Sequence, residues 1–290
     1  MAQGRGRVLL CSDLDRTLLP NGAAPESPRA RDVLAQLAAR EELTLAYVTG
    51  RHLALLRQAI DEYHIPVPRF AIGDVGSTIY SVDGERWLPW PEWSQCIAPD
   101  WNGLSRGQLE VLFQDLAVLR LQPPERQNTF KLSYYTPVQF SRGALLGCME
   151  ARLEAHGVRA SLVWSVDEAA GVGLLDVLPA SANKLHAVRF LMQALGFAAE
   201  QTVFAGDSGN DLAVLTSGLQ AVLVANAAPE LRDEALRLAA ARGVGDRLYM
   251  ARGGFLGMNG NYAAGVLEGL AHFVPGTRAW MDPSTSRRCR

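Results

Sequence analysis

The chain has no run of about 18 apolar residues, so no helix is expected to cross a membrane. Residues 1–7 are polar and lack the apolar stretch of a signal peptide. The four cysteines, Cys11, Cys96, Cys148 and Cys289, are scattered without a CxxC pair. That argues against a disulfide frame or a zinc site and for free thiols in a reducing compartment. The five histidines, His52, His64, His156, His186 and His272, are spread out and suggest no metal cluster. Positive charge is not in excess: 28 Lys and Arg face 30 Asp and Glu, a formal net charge of -2. A nucleic-acid partner is therefore not expected. No GxxxxGK[ST] loop is present, and Gly206–Gly209 lacks the GxGxxG spacing, which argues against a P-loop nucleotidase and a dinucleotide enzyme. Internal repeats and low-complexity tracts are also absent. A cytoplasmic protein, monomeric and without a membrane partner, is the expectation. Its 290 residues, 48% hydrophobic, suffice for a sizeable core in one large domain or two.

What is present is organised around Val8–Leu19. An apolar run without helical period leads into Asp13, Asp15 and Thr17, and reads as a short buried strand ending in turn chemistry. After a turn-rich connection, Ser27-Pro28 reads as the N-cap and first residue of a helix reaching about Arg40. Leu43–Val48 is a second strand ending in Thr49-Gly50-Arg51, followed by a helix to about Tyr63. Phe70–Ile72 starts a third strand, after which Asp74 is either a turn acid or a support to a site. Strands alternating with helices imply parallel βαβ units. From about Asp83 the pattern changes. Trp87, Trp90, Trp93 and Trp101 cluster among prolines, either packing an irregular segment or forming a surface on which a sugar stacks. Helices over about Ser105–Leu119 and Ser141–His156 alternate with strands at Phe130–Tyr135, Arg159–Ser165 and Leu174–Leu178. On such a strand, Lys131 by itself reads as part of a solvated face. The first pattern resumes with a helix opened by Pro179–Lys184, a strand Gln201–Ala205 ending in Gly206-Asp207-Ser208-Gly209-Asn210-Asp211, and a strand Gln220–Val224. A last helix covers Asn261–Phe273, and the polar tail after Pro275 is expected to fray. The fold class is α/β: a doubly wound, mostly parallel (Rossmann-like) sheet core, residues 1–82 and 179–290, with an inserted α+β cap domain, residues 83–178.

Four ends carry chemistry: Asp13/Asp15, Thr49, Lys184 and Asp207/Asp211. In a parallel sheet such ends converge on one crevice. Carboxylates gathered there repel and raise one another's pKa, and a bound cation removes the conflict. An all-oxygen set without His or Cys favours Mg²⁺ over zinc. A lysine and a hydroxyl beside it suit a phosphate group. One acid of the first loop can attack phosphorus and the other can protonate the leaving oxygen and then activate water. Arg51 either contacts the phosphate or pairs with an acid on a helix face.

Asp13-Leu14-Asp15-Arg16-Thr17, Val48-Thr49-Gly50-Arg51, Lys184 and Gly206–Asp211 resemble the four motifs of the haloacid dehalogenase superfamily of phosphatases. Gly76–Tyr80, Lys131–Tyr135, Asp176–Pro179, Ala225–Ala227 and Tyr262–Leu270 are similar to its capped sugar-phosphatase branch, nearest to the sucrose-6-phosphate phosphatases. The mannosylfructose-phosphate phosphatases share most of these features. The resemblance implies a Mg²⁺-dependent hydrolase of a disaccharide phosphate that works through an aspartyl-phosphate. By position it makes Asp13 the nucleophile and Asp15 the general acid/base. Thr49, Gly50, Lys184 and Asn210 hold the phosphate. Asp13, Asp207 and the main-chain oxygen of Asp15 ligate the metal with Asp211 and Asn210 in support. Gly50 and Arg51 help position the sugar phosphate, and Lys131 reaches from the cap to the sugar hydroxyls. Arg16 stands where relatives carry Gly or Asn. The small-molecule partner implied is a sugar phosphate, and a sucrose-phosphate synthase is the protein partner implied. The alternatives are a phosphatase of another disaccharide or glycosyl phosphate (mannosylfructose phosphate, glucosylglycerol phosphate), a phosphomannomutase-like enzyme and a non-catalytic regulatory module.

Overall fold

The computed structural model describes residues 6–167 and 170–282; Cys289 lies outside them. The first strand, β1 (Val8–Ser12), is buried along its whole length. Its side chains alternate, with Val8 and Leu10 entering one core and Leu9 and Cys11 the other, as period two requires of a strand covered on both faces. Around β1 lie β2 (Leu43–Val48) and β3 (Phe70–Gly73) on one side. On the other lie β10 (Thr202–Gly206), β11 (Gln220–Leu223) and β12 (Leu248–Met250). The sheet is completed by β4 (Thr78–Asp83) and β5 (Arg86–Pro89), giving the order β12-β11-β10-β1-β2-β3-β4-β5. All neighbours are parallel up to β3; β4 and β5 are antiparallel. The strand order reverses between β1 and β10, so their carboxyl ends diverge and open a crevice.

Helices cover both faces. α1 (Ala30–Ala38), α2 (Leu53–Tyr63) and α9 (Ala263–Phe273) pack on one, through residues such as Leu34, Leu56 and Leu267. α6 (Lys184–Leu195), α7 (Leu212–Leu215) and α8 (Pro229–Ala241) pack on the other through Leu191, Leu215 and Ala235. A second, antiparallel sheet has the order β6-β7-β9-β8, from β6 (Arg120–Leu121), β7 (Leu132–Thr136), β8 (Ala160–Asp167) and β9 (Val172–Pro179). Leu132, Tyr134, Leu175 and Val177 pack with Leu109 and Phe113 of α4 (Arg106–Phe113) and Met149 of α5 (Arg142–Ala155). Parity turns Ser133 and Asp176 to the opposite face, toward the crevice. Among the described residues no helix is long and apolar enough to cross a membrane.

Several local readings change. The chain does not leave the large sheet at Val82: β5 pairs with β4 in it, and the crossing follows Pro89. Ser27 does not cap α1. Arg29, at φ 68°, occupies that position, and the Ser27 hydroxyl instead accepts a hydrogen bond from the Asn259 backbone. The tryptophans pack the irregular segment rather than offer a sugar platform. Trp93, on α3 (Pro91–Ile97), and Trp101 are buried, and Trp90 lies against Phe70 and Phe190. After Pro275 the chain is helical at Arg278–Met281, and Met281 is buried, so this part of the tail is docked.

One turn ties these layers together. Gly76, at φ 98°, lies so close to Asn183 that a Cβ would sit 2.7 Å from its carbonyl carbon. Gly76→Ala is predicted to lower the thermal midpoint by about 5 °C or more, because the left-handed backbone and the backbone contact both resist a methyl. Gly107, in α4 with open space around it, is the control; Gly107→Ala should leave the midpoint level or slightly higher. Equal midpoints for the two variants contradict the close approach.

Candidate active site

Asp13 extends the β1 ladder by one step, its N–H donating to the Ala205 carbonyl at 2.9 Å. Its carboxylate therefore emerges where β1 and β10 part. One oxygen accepts from the Leu14 N–H at 2.7 Å and the other lies 2.9 Å from Lys184 Nζ. The loop beyond is knotted on one carbonyl, that of buried Leu14, which accepts from the N–H groups of Thr17, Leu18 and Leu19. Thr17 donates to Asp207 Oδ1 at 2.9 Å. β10 ends in Gly206, where a Cβ would strike the Asp211 carboxyl at 2.6 Å. Asp211 is buried, and its Oδ2 accepts from the backbone of Asp207 and of Ser208. Lys184 is the first residue of α6, whose cap is Asn183. Its three N–H donors match three acceptors: Asp13 at 2.9 Å, Asp211 at 2.8 Å and Asn210 at 2.9 Å.

Asp13, Asp207 and Asp211 thus bring carboxylate oxygens within 4.8 Å of one another. Burial pushes the Asp13 carboxyl up to about 8, against the pull of Lys184, and pushes Asp207 up to about 6. Burial alone lowers a lysine, but here Asp13 and Asp211 outweigh it and hold Lys184 well above its usual value. A set of acids so reluctant to ionise fits a cation, and Asp13 and Asp207 are its better ligands, since both line the cleft whereas Asp211 is wholly buried behind them.

Asp15 stands apart from this group. Its carboxylate turns to Arg51, which donates from Nε at 2.8 Å and Nη2 at 2.6 Å, and to Asn21 Nδ2 at 2.7 Å. The expected metal contribution of Asp15 therefore cannot come from its side chain as placed. Burial acts to raise the Asp15 carboxyl, yet Arg51 prevails and holds it below the usual carboxylate range. Arg51 thus pairs with the loop acid rather than with an acid on a helix face. Thr49 and Gly50 follow β2; the Thr49 hydroxyl is buried and accepts from the Arg51 N–H. Lys131 reaches the cleft from the second sheet and is only 6% exposed, so the solvated-face reading is wrong. The cleft, about 450 Å³, is bounded by Asp13, Asp15, Arg51 and Asp207 on one wall and Arg126, Lys131 and Asp176 on the other. A hollow of similar size beside Leu104 and Phe130 carries no acid and no lysine.

Two asparagines hold the loop: Asn21 lies outside every motif, and Asn226 falls in the Ala225–Ala227 stretch with no role assigned to it from the sequence. Asn21 bridges the Asp15 carboxylate and the Arg16 N–H. Asn226 donates to the Arg16 carbonyl and accepts from the Tyr262 N–H. Their local signal is slight, a turn-forming Pro20-Asn21-Gly22. A compositional signal does exist: the chain has only two lysines, Lys131 and Lys184, and both line or underlie this cleft. The raised acids predict a pH dependence. Acids whose folded pKa is raised stabilise the fold fully at low pH, and that stability is lost as pH climbs from about 4 through 6 to 8. A divalent cation reverses the loss, because it binds the ionised form. The increase in melting temperature on adding millimolar Mg²⁺ to metal-free protein is therefore predicted to be larger at pH 8 than at pH 5. An equal increase at both contradicts this electrostatic picture.

A family model for sucrose-6F-phosphate phosphohydrolases matches residues 6–274. The chain is 58% identical to a putative HAD-like hydrolase of Nitrosococcus oceani over 95% of its own length and 74% of that protein. It is 27% identical to the mannosylfructose-phosphate phosphatase of Agrobacterium fabrum, over 91% of this chain and 96% of the other. Among solved structures it resembles the sucrose-phosphatase of Synechocystis sp. PCC6803 bound to sucrose and phosphate, with a TM-score of 0.69 and 28% identity, covering 93% of this chain and 98% of that one. With its mostly parallel sheet, second sheet and buried acid cluster, the chain belongs to the sucrose-6F-phosphate phosphohydrolase family of haloacid dehalogenase-like phosphatases.

Proposed function

We propose that the protein is a Mg²⁺-dependent phosphatase of a disaccharide phosphate, sucrose 6-phosphate first among them, and that Asp13 is its nucleophile. The observation that carries the reading is the pairing of Asp13 with Lys184 at 2.9 Å, at the one point where the parallel sheet opens. An Asp13 oxygen attacks phosphorus as the bond to the sugar oxygen breaks, and Asp15 gives that oxygen its proton. In the second half Asp15 takes a proton from water, the water oxygen attacks phosphorus, and the bond to Asp13 breaks. Lys184, Asn210, Gly50 and Thr49 surround the phosphate oxygens and neutralise or orient them. Asp13 and Asp207, with Asp211 behind them, would hold Mg²⁺, which would supply positive charge against the phosphoryl oxygens. Asp15 cannot act as an acid while Arg51 grips both its oxygens. Substrate anion must first draw Arg51 away, which makes Arg51 a substrate contact only in the loaded enzyme. The resemblance to both a sucrose-phosphatase and a mannosylfructose-phosphate phosphatase supports a disaccharide phosphate as the substrate class.

Phosphate release with Mg²⁺ tests this against sucrose 6-phosphate, mannosylfructose phosphate, glucosylglycerol phosphate and hexose monophosphates. We expect kcat/KM for sucrose 6-phosphate to lead by about tenfold or more. Asp13→Asn should cut turnover by roughly a thousandfold while the protein melts within a few degrees of the parent. Comparable rates across the panel remove the sucrose assignment. An isomerised sugar phosphate without free phosphate makes the protein a mutase instead.

A further inference from the structure

Lys131 precedes β7 in the smaller sheet, yet its charge is shared across the two sheets. Its Nζ lies 3.6 Å from Asp74 Oδ1, on the turn after β3, and 3.8 Å from Asp176 Oδ1, on β9. Asp176 is fixed in turn by the Ser133 hydroxyl. Both ammonium distances exceed the length of about 2.7–2.9 Å expected of a charge-assisted hydrogen bond. Lys131 is thus balanced in charge with donors to spare, beside the cleft.

The turn that presents Asp74 is strained. Asp74, Val75 and Gly76 have φ of 52°, 60° and 98° in succession. A β-branched residue in that region is an outlier and persists only where its surroundings enforce it. Here they do. The Asp74 N–H donates to the Arg51 carbonyl, the Gly76 carbonyl accepts from Trp93 Nε1, and Gly76 abuts Asn183, the cap of the Lys184 helix. Asn128, three residues before Lys131, donates to the Ser77 and Thr78 hydroxyls. The turn therefore touches Arg51, the Lys184 helix and the smaller sheet together.

We propose that Asp74 is a positioning residue. Its ion pair with Lys131 clasps the smaller sheet over the crevice and holds the lysine's free donors toward the hydroxyls of the leaving sugar. The sugar contact rests on the function proposed above; the clasp does not. Asp74→Asn isolates the charge, since asparagine keeps the shape and tolerates left-handed backbone. We expect it to raise KM for sucrose 6-phosphate about tenfold more than KM for a small aryl phosphate, with kcat moving less than about threefold. In a Lys131→Gln background the same substitution should add less than about twofold, the mark of coupled residues. A KM unchanged by Asp74→Asn, or the same factor in both backgrounds, overturns the proposal. A second readout needs no turnover. Because the chain has only two lysines, amine labelling followed by peptide mass mapping reports Lys131 separately from Lys184. Asp74→Asn should speed labelling of Lys131 about tenfold, as a buried cation that loses a partner is released to solvent. An unchanged rate overturns the clasp even in a protein that hydrolyses no sugar phosphate, an outcome that alone would remove only the proposed substrate.

Discussion

The Lys184 ammonium, buried and donating to Asp13, Asp211 and Asn210 at once, is the contact on which the crevice depends. Without a cation there, the ends of β1 and β10 bring Asp13, Asp207 and Asp211 together with little to offset their repulsion. Lysine at the first position of α6 places that charge from a helix packed on the sheet, so helix packing and charge balance are one constraint. The balance remains incomplete. Three acids face one ammonium, and burial still pushes Asp13 and Asp207 upward. That residual deficit fits the cation and phosphoryl group of the proposed function.

The second constraint is steric. In the proposed mechanism Asp13 and Asp15, two residues apart, serve one phosphorus from a tight loop that follows β1. The loop is bought with left-handed backbone at Arg16, φ 57°, and held by hydrogen bonds from distant segments. Asn21 and Asn226 bind on either side of Arg16. Asn259 and Asn261 grip the Pro25 carbonyl, and the Tyr262 hydroxyl donates to the Ala24 carbonyl. Tyr262 itself sits at φ 51°, ψ -134°, so strain at one end of the clamp faces strain at the other. Arg51 adds an electrostatic lock on Asp15.

Much of this was legible in the residues. The apolar β1 and the carboxylates at its end, the lysine opening a helix, and the Gly206–Asp211 turn all act through local pattern, and their convergence follows from parallel topology. The supporting groups were not legible, because their roles exist only after folding joins segments far apart. Asn226 meets Arg16 across 210 positions. Asp74 reads equally as a turn acid or a support to a site, and only the folded chain, which brings Lys131 beside it, separates the two. Ser27-Pro28 has the composition of a helix cap, but the tertiary hydrogen bond from Asn259 claims the hydroxyl. The tryptophan segment was ambiguous for a different reason: an aromatic ring serves packing and sugar stacking equally well, and only burial separates the two.

The claim at the centre is that Asp13 carries the phosphoryl group. It is tested most directly by mixing enzyme, Mg²⁺ and sugar phosphate, quenching in acid during turnover, and reducing the product with labelled borohydride, which converts an aspartyl-phosphate to homoserine. The account predicts label in the peptide containing residues 8–16, at position 13. Label at Asp15 or another acid, or phosphate release with no trapped adduct at Asp13 under conditions where the intermediate accumulates, contradicts it.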